Sequence, residues 1–196
     1  MIKIPTRAAA LSSADLPPPP ASVVLSHQAV ISVGDAAPDF TLMGAGFETK
    51  SLSSLKGSKV VLAFHPAAFS GDADGGCQCQ LDSLKSIAKE DGIEVIGITG
   101  DTPFVMGPWS EFSGIECLSD PKLEVAEKYV GTLDFGKFLD DLDVSTNMAG
   151  VQKSMRGAVV IDEDQKVVYV WSGTPDQLPP TTEIQAALGI GKVNFE

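Results

Sequence analysis

Four runs of apolar residues stand out along the chain, separated by stretches in which polar residues dominate. Lys59–Phe64 and Ile93–Thr99 are almost entirely apolar, which is typical of central strands that are buried on both faces. Ala158–Ile161 and Val167–Trp171 are two further runs, and the polar residues 162–166 between them predict a hairpin turn. The pattern therefore predicts four strands, with the first and third of this set adjacent at the centre of one sheet.

Helices are predicted between and after these strands. Their predicted ranges are Cys77–Lys89, Pro103–Ser113, Pro121–Val130 and Thr182–Leu188. In the first of them, apolar residues recur at intervals of three and four, as on one face of an amphipathic helix. Leu52–Leu55 is predicted to be a helical turn and Glu116–Leu118 a short strand, whereas Gly131–Lys153, rich in Asp and Gly, is predicted to be irregular. The alternation indicates an α/β fold, an open sheet with helices on both faces.

The first 32 residues differ in composition from the rest, so we divide the chain into a tail at 1–32 and a domain at 33–196. The tail contains Asp15 as its single acidic residue, and its Pro17–Pro20 run predicts an extended polyproline spacer. Its first 14 residues weakly resemble an organelle transit peptide, because they are basic and rich in Ala and Ser. The alternatives are a disordered tail, or one that wraps around a protein partner in a larger complex.

Composition narrows the choice of partners and compartment. The formal net charge of -12 disfavours nucleic acid and anionic membranes as partners, because phosphates would be repelled. No apolar run approaches the roughly 20 residues that a membrane span needs. The 3 cysteines are too few for the disulfide framework of a secreted domain. We therefore predict a soluble protein of a reducing compartment, either the cytoplasm or the interior of an organelle.

The segment Lys59–Leu84 carries the most specific chemistry, since it predicts a buried strand, a loop and then the start of a helix. Pro66 and Ser70 in the loop resemble the Pro-x-x-x-Thr/Ser-x-x-Cys motif of the peroxiredoxin family, the alkyl hydroperoxide reductase and thiol-specific antioxidant group. The stretch that begins with Arg156-Gly157 resembles the family's Arg-Gly-x-Phe-x-Ile-Asp. Val33–Leu42 resembles the stretch with which that family's domain begins.

This resemblance implies a thioredoxin-like three-layer fold of the peroxiredoxin type, with a mixed central sheet. It also implies that Pro66, Ser70 and Arg156 surround the cysteine that attacks the peroxide. The position that the motif assigns to this cysteine is Ala73, and alanine cannot attack peroxide. The two neighbouring acids, Asp72 and Asp74, would also oppose a thiolate by like-charge repulsion. The resemblance thus predicts a relic pocket around Ala73, loss of efficient peroxidase activity and a role as a binding or accessory subunit of a larger assembly.

The alternative is an active thiol peroxidase or oxidoreductase that uses Cys77 or Cys79 in an atypical site. Moving the motif to Cys77 requires four extra residues after Ser70, and it places this cysteine about one turn into the predicted helix, past the strongest dipole effect. Neither cysteine matches the family's positions for a second, resolving cysteine. Both are therefore interpreted as small side chains near the start of a surface helix.

No cofactor and no metal site are predicted. Two acids and two cysteines around the loop, with His65 nearby, suggest a metal cluster, but a lone Cys-x-Cys is weak evidence and mixed carboxylate and thiolate ligands suit no common structural site. His65 and Trp109 are interpreted as packing residues and Cys117 as a core residue. A homodimer is a further possibility that the sequence leaves open.

Overall fold

The computed structural model describes residues 31–71, 76–144 and 147–191. Nine strands lie in this part of the chain: β1 Thr41–Met43, β2 Thr49–Ser51, β3 Lys59–Phe64, β4 Ile93–Thr99, β5 Glu116–Ser119, β6 Thr132–Asp134, β7 Gln152–Ser154, β8 Arg156–Ile161 and β9 Val167–Gly173. Five α-helices accompany them: α1 Cys77–Leu84, α2 Pro103–Ser113, α3 Glu124–Tyr129, α4 Phe135–Asp141 and α5 Thr181–Leu188. Leu52–Leu55 forms a 3-10 turn, as expected.

Seven of the strands form one mixed sheet in the order β2-β1-β5-β4-β3-β8-β9. The central strand β3 runs parallel to β4 and antiparallel to β8. The predicted adjacency of the segments at 59–64 and 158–161 is thus confirmed. Because β3 and β8 are antiparallel, the end of β3 and the start of β8 meet at one edge of the sheet, where Phe64 pairs with Gly157.

Each face of the sheet carries its own apolar core. Alternate residues of β3 point to opposite faces, so Leu62 packs in a cluster with Tyr129 of α3, whereas Val61 packs in a cluster with residues of α1, α2 and α5. This is the predicted three-layer α/β arrangement, a mixed central sheet with helices on both faces. Among the described residues, no helix combines the length and apolarity needed to cross a membrane.

Two predicted helices have the wrong bounds. The first ends at Leu84, and Ile87–Lys89 is a separate 3-10 turn. The apolar spacing runs across this break because Ile87 packs in the same cluster as Leu84. The helix predicted from Pro121 begins at Glu124 instead, since Leu123 before it has a left-handed backbone with φ of 59°.

The prediction that Gly131–Lys153 is irregular was wrong. Strands β6 and β7 pair antiparallel as a small second sheet, and α4 follows β6 without a gap. The carboxylate of Asp134 accepts the backbone N–H of Lys137 and so caps the start of α4. This unit lies beside the edge of the main sheet at which β3 ends.

Candidate active site

A cavity of about 250 Å³ lies where β3 ends, α1 begins and β8 begins. It is lined by Pro66, Ala67, Ser70, Gly76, Cys77, Phe135, Phe138, Leu142, Arg156, Pro175 and Asp176. The cavity therefore joins the loop after β3, the first residue of a helix, a buried arginine and the small helix α4. Three of the residues that the sequence singled out, Pro66, Ser70 and Arg156, meet here.

Cys77 is the cysteine that these residues surround. It is the first residue of α1, preceded by Gly76 in an extended conformation, so the prediction that it lies about one turn into the helix was wrong. Its side chain is only 2% exposed, which also contradicts its interpretation as a residue of a surface helix start. The backbone N–H of Cys77 donates to the Ser70 hydroxyl oxygen at 3.4 Å.

Arg156 brings a positive charge to the sulfur. Its side chain is 2% exposed, and its Nη2 lies 3.7 Å from Cys77 Sγ. The guanidinium also donates from Nε to the carbonyl oxygen of Pro175 at 2.9 Å and from Nη1 to Gln80 Oε1 at 3.0 Å. A buried arginine is stable only when its donors are used in this way, and these bonds hold its planar group in one orientation.

Gln80 is a site residue that the sequence analysis missed. It is fully buried, and its Nε2 donates to the carbonyl oxygen of Gly157 at 2.9 Å. That bond fixes the amide so that its oxygen faces Arg156. The available signal was its spacing: Gln80 comes three residues after Cys77 in a helix, so the two side chains share one face.

The loop that leaves β3 rests on an aromatic pair. His65 Nδ1 lies 3.2 Å from the carbonyl oxygen of Ala63, and its Nε2 accepts the indole N–H of Trp109 at 2.9 Å. Burial lowers the pKa of His65 to about 4, so the ring is neutral at pH 7. Both residues are fully buried, as their interpretation as packing residues requires. The Phe69 ring covers Trp109 with ring centroids 4.9 Å apart.

The opposite side of the cavity is apolar and comes from the region predicted to be irregular. Phe135 and Phe138 of α4 stack with ring centroids 5.9 Å apart. The helix can approach the chain at 148–149 because Gly136 has no side chain: a Cβ there would lie 2.3 Å from the Ala149 nitrogen. The sequence did contain the signal for α4, since Phe135, Phe138, Leu139 and Leu142 follow the spacing of a helical face.

The other candidate residues are not part of this cavity as described. Ala73, Asp72 and Asp74 lie outside the described residues, so the predicted relic pocket around Ala73 is untested. Cys79 is half-buried and does not line the cavity. Cys117 is buried as predicted, and burial raises the pKa of its thiol to about 12. Among the described residues, no group of three His, Cys, Asp or Glu side chains could hold a metal ion.

Comparison with known proteins gives a consistent result. A model of the AhpC/TSA family matches residues 33–170. The chain is 31% identical over 144 residues to a thiol peroxidase of Bacillus subtilis, covering 71% of this chain and 75% of that protein. It is 41% identical over 97 residues to a chloroplastic peroxiredoxin Q of Gentiana triflora, of which it spans 42%.

Solved structures share the fold. The crystal structure of peroxidoxin BcpB from Mycobacterium tuberculosis superposes with a TM-score of 0.60 at 25% identity, covering 81% of this chain and 95% of that one. Reduced Prx3 from Vibrio vulnificus, solved in complex with hydrogen peroxide, gives a TM-score of 0.62 at 23% identity, covering 81% and 99%.

Proposed function

The chain belongs to the AhpC/TSA family, and on that premise we propose that it is a thiol peroxidase in which Cys77 attacks the peroxide. One observation carries the proposal: the sulfur of Cys77 lies 3.7 Å from the guanidinium of the buried Arg156. A cysteine reacts as its thiolate, which helix N-termini and neighbouring arginines stabilise. Cys77 has both, since it is the first residue of α1.

The reaction follows from this arrangement. The Cys77 thiolate attacks one oxygen of the hydroperoxide, the O–O bond breaks, and the departing alkoxide takes up a proton to become an alcohol. The sulfur is thereby oxidised to a sulfenic acid. Ser70 and Arg156 supply the hydroxyl and the charged donor that hold the peroxide oxygens in line with the sulfur.

An external thiol returns the enzyme to its reduced form. One thiol condenses with the sulfenic acid to give a mixed disulfide and water, and a second thiol displaces Cys77 while the two external sulfurs join as a disulfide. Cys79 is poorly placed for this step, because side chains two residues apart in a helix do not face each other. No resident cofactor is needed.

The wall formed by α4 indicates the kind of peroxide. Phe135, Phe138 and Leu142 present apolar surface to the cavity, whereas Asp176 and the net charge of -12 disfavour an anionic substrate. We propose a neutral organic hydroperoxide with an apolar group, which would bury that group against α4.

The competing interpretation, an accessory protein whose nucleophile position is Ala73, stays a prediction. Placing the nucleophile at Cys77 means that the loop after Ser70 is four residues longer than the family's motif. The division into a tail at 1–32 and a domain at 33–196, a protein partner or homodimer, and a cytoplasmic or organellar location are retained as predictions. The family match begins at residue 33, which fits the proposed division.

A matched pair of cysteine variants tests the proposal. Hydroperoxide consumption by the purified protein is followed with excess dithiothreitol in the wild type, in Cys77→Ser and in Cys79→Ser. We expect the wild type to react at least about 100-fold faster than free cysteine, the scale of gain that positioned groups supply. Cys77→Ser should abolish this rate and Cys79→Ser should leave it within about twofold. A wild type no faster than free cysteine would favour the accessory interpretation, and loss of activity only in Cys79→Ser would move the nucleophile to residue 79.

A further inference from the structure

We propose that Asp101 is a positioning residue. It does not line the cavity, but it fixes the two sides of the cavity relative to each other. The inference rests on the proposed function. One side is the loop after β3, which carries Pro66 and Ser70, and the other is the unit of β6, α4 and β7. The carboxylate of Asp101 bonds to both, through different oxygens.

The first oxygen holds the loop. Asp101 Oδ2 accepts the backbone N–H of Ala68 at 2.5 Å and the hydroxyl of Thr99 at 2.9 Å. Ala68 is midway between Pro66 and Ser70, so this single bond fixes the segment that places both residues. The loop needs a stabilising bond at this point, because Phe69, the residue after Ala68, has a left-handed backbone with φ of 53°.

The second oxygen reaches the α4 unit. Lys153 Nζ lies 3.4 Å from Asp101 Oδ1, and the two side chains are only 17% and 22% exposed. Lys153 is the middle residue of β7 and pairs with Leu133 of β6, directly before α4. The ion pair therefore links the paired strands β6 and β7 to the carboxylate that holds the loop. Helix α4, which carries Phe135 and Phe138, follows β6 directly.

Asp101 itself rests on the sheet. It follows β4, the parallel neighbour of β3, so it lies at the edge where β3 ends. Its own carbonyl oxygen accepts the hydroxyl of Ser119 at the end of β5, at 2.6 Å. The carboxylate is thus anchored to the main sheet. Its position there determines the distance between the loop and the α4 unit.

Three substitutions separate the two contacts. Asp101→Ala removes both. Asp101→Asn keeps one oxygen for Ala68 and Thr99 but turns an amide N–H₂ toward Lys153, so only the link to β7 is lost. Lys153→Met removes the same link from the other side. A matched control is Asp162→Ala. Like Asp101, Asp162 offers a carboxylate oxygen that accepts two hydrogen bonds, here from two backbone N–H groups, but it lies in the turn after β8, at the opposite end from Arg156.

Hydrogen exchange tests the loop contact whether or not the protein is active. We expect exchange of the Ala68 amide to speed up about 10- to 100-fold in Asp101→Ala, which removes its acceptor, less in Asp101→Asn, which keeps a neutral oxygen acceptor, and not at all in Asp162→Ala. Unchanged exchange in Asp101→Ala would overturn the inference. Hydrogen exchange does not depend on peroxidase activity. The proposed function is tested separately, by the rate at which the wild type consumes hydroperoxide.

Kinetics tests the second contact. We expect Asp101→Asn and Lys153→Met to raise KM for cumene hydroperoxide about 10-fold, with kcat and the rate with hydrogen peroxide within about twofold of the wild type, because only the α4 side shifts.

Asp101→Ala should lower the rates with both peroxides, while alkylation of Cys77 by iodoacetamide stays near the wild-type rate. Equal losses with both peroxides in Asp101→Asn would show that Asp101 does not act on the α4 unit. Alkylation slowed as much as the peroxide reaction in Asp101→Ala would mean that Asp101 supports the fold rather than the positions of the loop.

Discussion

The two sides of the cavity are held together by different forces. Its floor consists of Cys77 and Arg156, with Gln80 behind them; all three are at most 2% exposed and are linked by directional hydrogen bonds. Its wall consists of Phe135 and Phe138, whose rings stack, and Leu142, which is 50% exposed. A buried polar group tolerates one geometry only, whereas an apolar surface accepts many shapes. Under the proposed function, the floor is therefore suited to the bond-breaking step and the wall to selecting among peroxides.

The largest expected effect comes from removing the charge of the floor. Arg156→Met should lower the rate of peroxide reduction about 100- to 1000-fold with every peroxide, since a charged donor aimed at the reacting atoms is lost. It also leaves the acceptors Gln80 Oε1 and Pro175 O without their arginine donors, so we expect unfolding by urea at a lower concentration. Stopped-flow rates with hydrogen peroxide and with cumene hydroperoxide measure the first effect.

Arg156→Lys separates the charge of the side chain from its hydrogen-bonding geometry. Lysine keeps the charge but cannot reproduce the fork that bonds Gln80 and Pro175 at once, so we expect recovery of at most about tenfold. If Arg156→Met stays within about fivefold of the wild type, the guanidinium serves the fold alone and the proposed role of Cys77 loses its main support.

Acid should weaken the support of the loop after β3, which His65 and Trp109 provide, before it weakens the wall. Burial lowers the folded-state pKa of His65 to about 4, below the ordinary histidine value of 6.5, so this group contributes no penalty above pH 6.5 and destabilises the fold increasingly as pH falls from 6.5 toward 4. The backbone N–H of Lys137 holds the pKa of Asp134, the cap of α4, below 3.8, so that cap is lost only in stronger acid. Between pH 6.5 and 5 the burial of His65 should cost about 2 kcal/mol of unfolding free energy.

Urea titrations at the two pH values measure this loss, with His65→Gln as the control. Glutamine offers Trp109 an acceptor without a proton to gain, so the variant should lose about 2 kcal/mol less than the wild type over the same range. An equal loss in both proteins would show that other groups control the acid response.

The floor could be predicted in part because its signals are local. Pro66 and Ser70 follow a long buried strand at fixed spacing, and Arg156 begins another, so a sequence pattern places them at one edge of the sheet. From the sequence alone, Cys77 is interpreted as a small side chain near the start of a surface helix, and its burial contradicts that interpretation. Its sulfur contacts Arg156, which is 79 residues away, and no local pattern reports such a contact.

The wall could not be recognised so easily. Gly131 and Gly150, both with positive φ, gave strong turn signals at either end of the region. Strands β6 and β7 have three residues each, too short for an alternating pattern, and each is stabilised by pairing with the other. The long strands β3, β4, β8 and β9, by contrast, were predicted because each contains a continuous apolar run, which in β3, β4 and β8 reflects burial.

The smallest expected effect is also the most selective one, and it concerns Phe138. Its ring lines both the reactive cavity and a neighbouring cavity of about 350 Å³, whose lining includes Leu133 and Met155. Phe138→Ala should therefore join the two spaces while leaving the floor intact. For cumene hydroperoxide, whose ring would lose its contact, we expect kcat/KM to fall about tenfold, the scale of one lost apolar contact. Hydrogen peroxide makes no such contact, so its rate should stay within about twofold. A hydroperoxide with a long neutral alkyl chain should lose less than cumene hydroperoxide, because its chain can enter the joined space. The matched control is Phe112→Ala, which removes an exposed phenylalanine that stacks on Trp109 and lines neither cavity. If Phe138→Ala lowers the rates with all three peroxides equally, the wall supports the position of the floor, and the division of labour between the two sides is wrong.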